Sequence, residues 1–360
     1  MGAAVGAKKR STLVAVAERA GVSIASVSRV LNGLQTSPGV KRKVEEAAAA
    51  LDYVPDAVAR SLKVGRTEQI AFAVADVGNP VYVSMMHAVN HVISDAGFRL
   101  VISSTGNDPA DQIDVLRNVN RGYADGLILV PLRLTDPLLA ELKASRIPLT
   151  VIGTLPSRVK LDNVRAESPA GVGLALDHLH EQGCRRIAFV NGPVDTVPGT
   201  ARLAGYLAAV ERLDLATNAE LQVTADDFTY EAGLRATGML LNQASPDAIL
   251  AANDLLAVAA MKVLSNRGLK VPADVAVVGM DDTELAELAN PSLTSVGLGS
   301  EARARAAADL LLSRIADPTL PARQVAIAPS LTIRESTAGR RLARVNTAHP
   351  PFGRQPEDES

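Results

Sequence analysis

The sequence contains one cysteine, Cys184, no tryptophan and only 3% aromatic residues. A single cysteine excludes an intramolecular disulfide and a cysteine-rich zinc site, and it is typical of a reducing compartment. No segment approaches the ~20 consecutive apolar residues of a membrane-spanning helix. The basic residues Lys8, Lys9 and Arg10 are not followed by an apolar segment. We therefore expect no secretory signal and a cytoplasmic location.

Motifs of catalysis and of cofactor binding are also lacking. Gly171 and Gly173 have no third glycine and follow no predicted strand, so they are not a dinucleotide fingerprint. The sequence has neither a Walker phosphate-binding loop nor a nucleophile elbow. His87 and His91 have the spacing of two metal ligands on a helix, but no acidic third ligand stands nearby. We expect no catalytic residue, no metal site, no cofactor and no enzyme activity.

The segment 12–33, TLVAVAERAGVSIASVSRVLNG, predicts two short helices joined by a tight turn. Apolar residues recur at helical spacing in the first helix, Gly21 ends it, and Ser23 can cap the second. The second helix leaves outward a small polar face that can enter a DNA major groove. The outward residues are Ile24, Ala25, Ser26, Ser28, Arg29 and Asn32. The alternative interpretation is a helix pair that has only a structural role.

Charge favours the DNA-binding interpretation. Up to Arg66 the sequence has eleven Lys or Arg and five Asp or Glu, a net charge of +6, whereas the whole chain has −2. The remainder therefore has −8. A basic N-terminal part on an acidic body indicates a polyanionic partner for that part alone.

Strand and helix patterns alternate from Gln69 onward, which predicts α/β lobes with doubly wound parallel sheets. Similar strands, IAFAV and IAFVN, begin the two halves, and residues 293–296 are expected to carry the chain back to the first lobe. The predicted organisation is a basic arm (1–10), a helix-turn-helix domain (11–55), a hinge helix (56–66), a two-lobed core (67–338) and a disordered tail (339–360). Lobe 1 would comprise 67–167 and 297–328, and lobe 2 would comprise 168–296 and 329–338.

Several motifs occur in a specific order: the helix-turn-helix segment, then YVPDAVARSL, ARLAGY, ILAANDLLA and VVGMDDTE. In these the chain resembles the LacI/GalR family of transcription regulators over residues 12–338. The resemblance implies a homodimer, a hinge helix in the minor groove, and an effector cleft between two lobes like those of periplasmic sugar-binding proteins. Ala15 stands where the family usually has Asp, which puts a helix cap or a backbone contact in doubt.

The family pattern assigns roles to the DNA-binding residues. Arg29 is expected to make a bidentate guanine contact, Ile24 and Ala25 to contact a thymine methyl, and Ser26 and Ser28 to bond phosphates or base edges. Three further residues would position the DNA backbone: Thr12, Asn32 and Tyr53. In the hinge the expected contacts are Ala59, Leu62 and Lys63. Leu62 would wedge into a central base step, although it could instead be a linker residue that packs on the core.

Ligands of parallel α/β sheets bind beyond the carboxyl ends of the strands. Aromatic, amide, carboxylate and guanidinium side chains follow the predicted strands there, and this combination suits a sugar. The predicted effector-binding residues are Tyr82, Asn107, Arg202, Phe228, Asn253 and Asp281. Of these, Arg202 and Asp281 fall on positions that contact effector in the family. Asp254 is expected to cap a helix, and Asp282 is expected to be structural.

The sequence thus predicts a repressor that binds a palindromic operator as a homodimer and responds to a small molecule, a sugar or sugar phosphate. An alternative is a solute-binding or sensor protein with the same core, which uses a non-sugar ligand such as a purine, or a protein corepressor. An enzyme on the same fold is the third class. The absence of a nucleophile or cofactor motif argues against it.

Overall fold

The computed structural model describes residues 12–31, 33–54, 65–215 and 219–338. The chain divides into two compact units, and the boundary in the sequence lies between Thr67 and Glu68. We call the smaller unit the head and the larger unit the core. The described part of the head holds three helices, α1 (Leu13–Ala20), α2 (Ile24–Leu31) and α3 (Pro38–Ala50).

Local capping explains why the head forms these helices. Thr12 caps α1, because its hydroxyl accepts a hydrogen bond of 3.2 Å from the amide of Ala15. Thr12 therefore caps this end of α1, although Ala15 cannot make the side-chain contact of the Asp that the family usually has there. Gly21 ends α1 with a φ of 64°, a conformation that costs glycine little. Ser23 accepts a hydrogen bond of 3.1 Å from the amide of Ser26 and so caps α2. These contacts confirm the predicted helix-turn-helix.

A small apolar core holds the three helices of the head together. Val16, Val27 and Val44 are fully buried, and each comes from a different helix. Partly buried residues, among them Leu13 and Tyr53, pack against this centre. The inward faces that the helical periodicity predicted are therefore confirmed.

The core alternates strands and helices along the chain. Its strands are β1 (Gln69–Val74), β2 (Arg99–Ser104), β3 (Gly126–Leu129), β4 (Leu149–Ile152), β5 (Asp162–Ala166), β6 (Ile187–Asn191), β7 (Gln222–Thr224), β8 (Ala248–Ala251), β9 (Ala276–Met280), β10 (Thr294–Gly297), β11 (Gln324–Ile327) and β12 (Ser330–Thr332). Its helices are α4 (Pro80–Asp95), α5 (Pro109–Asn118), α6 (Asp136–Ala144), α7 (Ser168–Glu181), α8 (Val197–Arg212), α9 (Tyr230–Gln243), α10 (Asp254–Asn266), α11 (Glu284–Leu288) and α12 (Ser300–Ala316). A π-helical segment at Val119–Tyr123 extends α5, and a 3₁₀ turn at Ala219–Leu221 precedes β7.

The strands form two six-stranded sheets, one in each lobe. The first sheet has the order β11-β5-β4-β3-β1-β2, and the second has the order β12-β10-β9-β8-β6-β7. All strand pairs are parallel except β10 with β12, which pair antiparallel. This arrangement confirms the predicted α/β class with two doubly wound parallel-sheet lobes.

Both faces of the first sheet are covered. Along β1, Ile70 and Phe72 belong to one apolar cluster, and Ala71 and Ala73 belong to another. Alternate residues therefore enter two separate layers, as a parallel sheet between helices requires. Helix α12 packs on α4 and on strands of this sheet, although it follows β10 of the second sheet.

The structure corrects two sequence expectations about strands. Strand β5 was not predicted, because Asp162 and Asn163 interrupt the apolar pattern although both are buried. Asp162 pairs with Arg314 at 3.0 Å, which explains how a carboxylate is tolerated there. The segment 293–296, expected to carry the chain back to the first lobe, mostly forms β10. Ser295 in it is aligned with Gly279 of β9, and the return to the first sheet follows β10.

None of the helices in the described residues is long and apolar enough to cross a membrane.

Candidate functional site

The predicted DNA-reading face lies on α2. The side chain of Ile24 is 49% exposed, Ala25 and Arg29 are exposed, and Ser26 and Ser28 are half-buried. The hydroxyl of Ser26 lies 2.9 Å from that of Ser23, so part of its bonding capacity is used inside the head. Among these residues Arg29 has the longest polar side chain, and it is exposed.

Two of the residues expected to position the DNA backbone also stabilise the head. Thr12 caps α1, and half-buried Tyr53 packs against the core of the head. The other predicted contacts lie outside the described residues: Asn32, Ala59, Leu62 and Lys63. Their roles remain predictions from the sequence.

A cavity of about 380 Å³ lies at the carboxyl ends of the strands, where both lobes contribute residues. The rule for parallel sheets predicted this location. The cavity is lined by all six predicted effector-binding residues: Tyr82, Asn107, Arg202, Phe228, Asn253 and Asp281. Residues distant in sequence meet there because each follows a strand or begins the next helix.

Arg202 and Asp281 form a buried ion pair in the cavity wall. The distance from Nη2 of Arg202 to Oδ1 of Asp281 is 3.1 Å, and both side chains are 7% exposed. Arg202 also donates a hydrogen bond to the carbonyl of Ala252. Its guanidinium carbon lies 5.9 Å from the ring centroid of Phe228, within cation–π range. The pair therefore offers a ligand a fixed donor and a fixed acceptor side by side.

Phe228 and Tyr82 supply the aromatic part of the wall. A Cβ atom at Gly192 would lie 2.2 Å from the ring of Phe228, so only glycine lets that ring approach the backbone so closely. Burial, reinforced by the negative charge of Asp281, raises the pKa of Tyr82 to about 12. At neutral pH the phenol is therefore a neutral hydrogen-bond donor beside charged groups.

Asn253 already has bonding partners within the protein. Its Oδ1 accepts a hydrogen bond of 2.8 Å from the amide of Leu256 and caps α10, and its Nδ2 donates one of 2.9 Å to the carbonyl of Phe228. Asn253 thus fixes the loop that holds Phe228, besides lining the cavity. The expectation that Asp254 caps this helix is wrong, because Asn253 occupies the cap position.

Asp254 and Asp282 both act inside the second lobe. Asp254 accepts hydrogen bonds from the amide and hydroxyl of Thr283, at 2.7 and 2.8 Å, and one of 2.6 Å from the hydroxyl of Ser295. Burial, followed by repulsion from Asp281, raises the pKa of Asp254 to about 7. Asp282 accepts a hydrogen bond of 2.8 Å from Arg334, which confirms its predicted structural role.

Polar contacts join the two lobes at the rim of the cavity. Arg133, which follows β3, donates two hydrogen bonds to Asp195, which follows β6, at 2.8 and 3.1 Å. Nδ2 of Asn107 donates a hydrogen bond of 3.0 Å to the carboxylate of Asp227. Asn107 therefore contacts the opposite lobe directly, and these contacts stabilise a closed rim.

The six predicted residues leave out three charged residues of the cavity wall, Asp76, Asp227 and Arg303. Asp76 follows β1, so the rule on strand ends should have included it. Arg303 lies on α12, in a buried stripe that otherwise contains only alanine and leucine. An arginine in such a stripe was the available signal, because a buried charge needs a reason.

Two family models match the chain. The one described as bacterial regulatory proteins, lacI family, matches residues 12–56, and a periplasmic binding protein-like domain matches residues 176–337. The chain is 36% identical over 344 residues to the HTH-type transcriptional regulator CelR of Thermobifida fusca. The aligned region covers 91% of this chain and 99% of CelR. The chain belongs to the LacI family.

Other members of the LacI family share both sequence and fold with the chain. The ribose operon repressor of Escherichia coli K12 is 33% identical over 329 residues, 91% of this chain and 99% of the repressor. A solved CelR–cellobiose complex has a TM-score of 0.69 at 35% identity and covers 91% of this chain and 100% of that one. The lac repressor dimer bound to operator and the anti-inducer ONPF has a TM-score of 0.81 at 28% identity. This match covers 91% of this chain and 99% of the repressor chain.

Membership of the LacI family decides the general activity. The protein is a DNA-binding transcriptional regulator with an effector-binding core, and it is not an enzyme. Both predictions are confirmed.

Proposed function

We propose that the protein represses transcription as a homodimer on a palindromic operator, in the cytoplasm, and that a small molecule in the cavity controls its affinity for DNA. The observation that carries the proposal is that one chain holds both an exposed α2 face and a polar cavity between two lobes. Relatives named as repressors support the direction of the regulation.

A dimer is supported by apolar side chains that are exposed on the first lobe. Val83 on α4, Ile102 on β2 and Tyr123 are 37%, 43% and 53% exposed. A two-fold dimer would double the DNA contacts of one head and would require a palindromic site. Light scattering that showed a monomer at operator-binding concentrations would contradict this proposal.

The chemistry of the cavity supports a sugar-like effector. Aromatic rings offer an apolar face, and the Arg202–Asp281 pair offers a donor and an acceptor to neighbouring hydroxyls. CelR was solved with cellobiose. Purines belong in the ligand screen as the alternative class of small ligand. A protein corepressor would be indicated if the purified protein bound operator only after a fraction of cell extract was added.

The decisive experiment is selection of DNA from a randomised pool by the full-length protein, followed by fluorescence anisotropy with the selected duplex. We expect a palindromic consensus, and we expect the logarithm of the affinity to fall nearly linearly with the logarithm of the salt concentration. A failure to enrich any sequence over random DNA would reject the proposed function.

The Arg29→Ala protein should lose sequence preference. We expect the binding free-energy difference between operator and random DNA to shrink by about 1–3 kcal/mol per contact, because a bidentate guanine contact is lost. Arg42→Ala is the matched control, because Arg42 is also exposed in the head, on α3, where it lies 3.8 Å from Glu46. Equal loss on operator and random DNA in Arg29→Ala would show that Arg29 contacts only phosphate.

Removal of the rim ion pair should weaken effector binding moderately. In Asp195→Asn the link between Arg133 and the second lobe loses its negative charge and one of its two hydrogen bonds, and we expect about two- to fivefold lower affinity, since partly exposed pairs contribute little. The control is Asp226→Asn, which weakens an ion pair of 2.8 Å with Arg235 inside one lobe; Asp226 and Asp195 are 67% and 65% exposed. Calorimetry that gave the same change for both variants would mean that the rim contact does not favour the bound state.

A further inference from the structure

Arg303 is a buried cation at the wall of the cavity whose side chain makes no hydrogen bond or ion pair with any of the described residues, although the charge of Asp281 acts on it from a distance. Its side chain lines the cavity, the residue is 8% exposed, and its Nε has no hydrogen-bond partner among the described residues. The ion pair of this wall joins Asp281 to Arg202 instead. Burial lowers the pKa of Arg303 to about 10, so the guanidinium is still charged at neutral pH.

The buried part of the wall has an excess of positive charge. Three charged side chains that line the cavity are buried, and they are Arg202, Arg303 and Asp281. Because Asp281 is bonded to Arg202, one positive charge is left over. The two other carboxylates of the lining are less buried and already accept hydrogen bonds. Exposed Asp76 accepts one of 2.8 Å from the amide of Gly78, and half-buried Asp227 accepts one of 3.0 Å from Nδ2 of Asn107.

We propose that Arg303 binds an oxyanion of the effector, so that the cleft takes a small hydroxylated acid, a sugar carboxylate or a sugar phosphate, rather than a neutral sugar. The inference rests on the proposed function and names the class of its effector. A buried unpaired charge is strongly unfavourable, and an oxyanion supplies both the counter-charge and the planar acceptors that a guanidinium matches. A neutral hydroxyl supplies an acceptor but no charge.

The neighbouring groups fit the same ligand. The phenol of Tyr82 lies close enough to Arg303 for the guanidinium charge to influence its pKa, and because it is protonated at neutral pH it can donate a second hydrogen bond to an oxyanion. The Arg202–Asp281 pair then remains for the hydroxyl groups. A cavity of about 380 Å³ falls within the range of small-molecule sites.

The test is calorimetry of the full-length protein with matched ligands. The probes are glucose, glucuronate and glucose 6-phosphate, cellobiose and cellobionate, and inorganic phosphate alone. We expect at least one acidic member to bind about tenfold or more tightly than its neutral counterpart. The carboxylate and phosphate members show which oxyanion is used. Inorganic phosphate that bound as tightly as the best sugar acid would overturn the proposal, because the hydroxyl-binding half would then contribute nothing.

Variants of Arg303 decide whether this residue is responsible. Arg303→Met should remove the preference for the acid while neutral-sugar affinity stays within about threefold, and Arg303→Lys should keep part of the preference. The control is Arg305→Met, because Arg305 lies on the same helix, is exposed and pairs only loosely with Glu301 at 3.9 Å. The ligand-free Arg303→Met protein should melt no lower than wild type, since it loses an unpaired buried charge. A lower melting temperature would show that Arg303 is structural and would overturn the proposal.

Two further results would overturn the inference: no acidic probe binds, or Arg303→Met leaves the acid preference unchanged. Operator binding by the same samples separates this failure from failure of the proposed function. If a neutral sugar releases the operator and no acid binds, only this inference fails. If an acid binds through Arg303 but no operator is recognised, only the proposed function fails.

Discussion

The Asp281→Ala protein should still bind operator DNA but should no longer respond to an effector that acts on the wild type. Asp281 accepts the hydrogen bond of Arg202 at 3.1 Å, and both side chains are only 7% exposed. Removal of the carboxylate leaves the guanidinium of Arg202 buried with only the carbonyl of Ala252 as a partner. Breaking a buried pair in this way costs about 3–5 kcal/mol, which exceeds the typical coupling of about 1–3 kcal/mol between effector and DNA sites.

The backbone of Asp281 requires a second variant. Its φ of 98° lies in a region that alanine tolerates poorly and asparagine tolerates better. Asp281→Asn keeps an acceptor for Arg202 and loses only the charge, so we expect a weakened response rather than none. Asp177→Ala is the control, since Asp177 makes an exposed ion pair of 2.7 Å with Arg212 in the same lobe.

Anisotropy titrations with operator, with and without effector, measure the outcome. A cooperative melting transition, even at a lower temperature than that of the wild type, and operator affinity close to wild type would establish that the Asp281 variants are folded. A normal effector response in Asp281→Ala would show that Asp281 is only a loop residue and that the cavity has been assigned wrongly.

The fold was predictable from the sequence wherever the apolar pattern was uninterrupted. Strand β1, with five buried residues in succession, shows the pattern of a strand covered on both faces. Strand β5 was missed because its buried Asp162 depends on Arg314, which lies 152 residues away. No local window contains that partner. Only the tertiary structure shows that a polar strand can lie inside the sheet.

The same limit applies to the cavity. The rule that ligands bind beyond the carboxyl ends of parallel strands correctly brought six predicted residues to one cavity. This rule depends only on sheet topology, and the alternation of strand and helix patterns in the sequence reveals that topology. It could not show which side chain caps α10, so the cap was assigned to Asp254, whereas Asn253 makes it and also lines the cavity. Arg303 was missed for a related reason. Arg303 lies on α12, which follows β10 of the second sheet but packs on the first sheet. The chain crosses between the lobes there, and this crossing places Arg303 at the cavity, whereas the residues adjacent in sequence do not reveal it.

Stability of the core should fall as pH rises towards neutrality, and Asp254 should be a principal cause. The pKa of its carboxyl is raised to about 7 in the folded protein, above the ordinary value of 3.8. The folded state therefore binds more protons than the unfolded state between these values. The stabilisation is fully present below about pH 4 and is lost as pH rises through 7. We expect a loss of about 2 kcal/mol between pH 5 and pH 7 from this group.

The Asp254→Asn protein should lack this pH dependence. An amide has nearly the same shape and cannot ionise, and its oxygen can still accept the hydrogen bonds that Thr283 now gives to Oδ2 at 2.7 and 2.8 Å. His178 acts in the opposite direction, because burial lowers its pKa and stability then rises as pH rises through the ordinary histidine value. His178 is present in both proteins, so the difference between them isolates Asp254.

Urea unfolding at pH 5, 6, 7 and 8, followed by far-ultraviolet circular dichroism because the chain has no tryptophan, measures this difference. The curves of stability against pH should diverge, with the variant gaining on the wild type from pH 5 to pH 7. Parallel curves would mean that the carboxyl of Asp254 is ionised throughout this range. The hydrogen bonds from Thr283 and Ser295 would then outweigh its burial and the repulsion from Asp281.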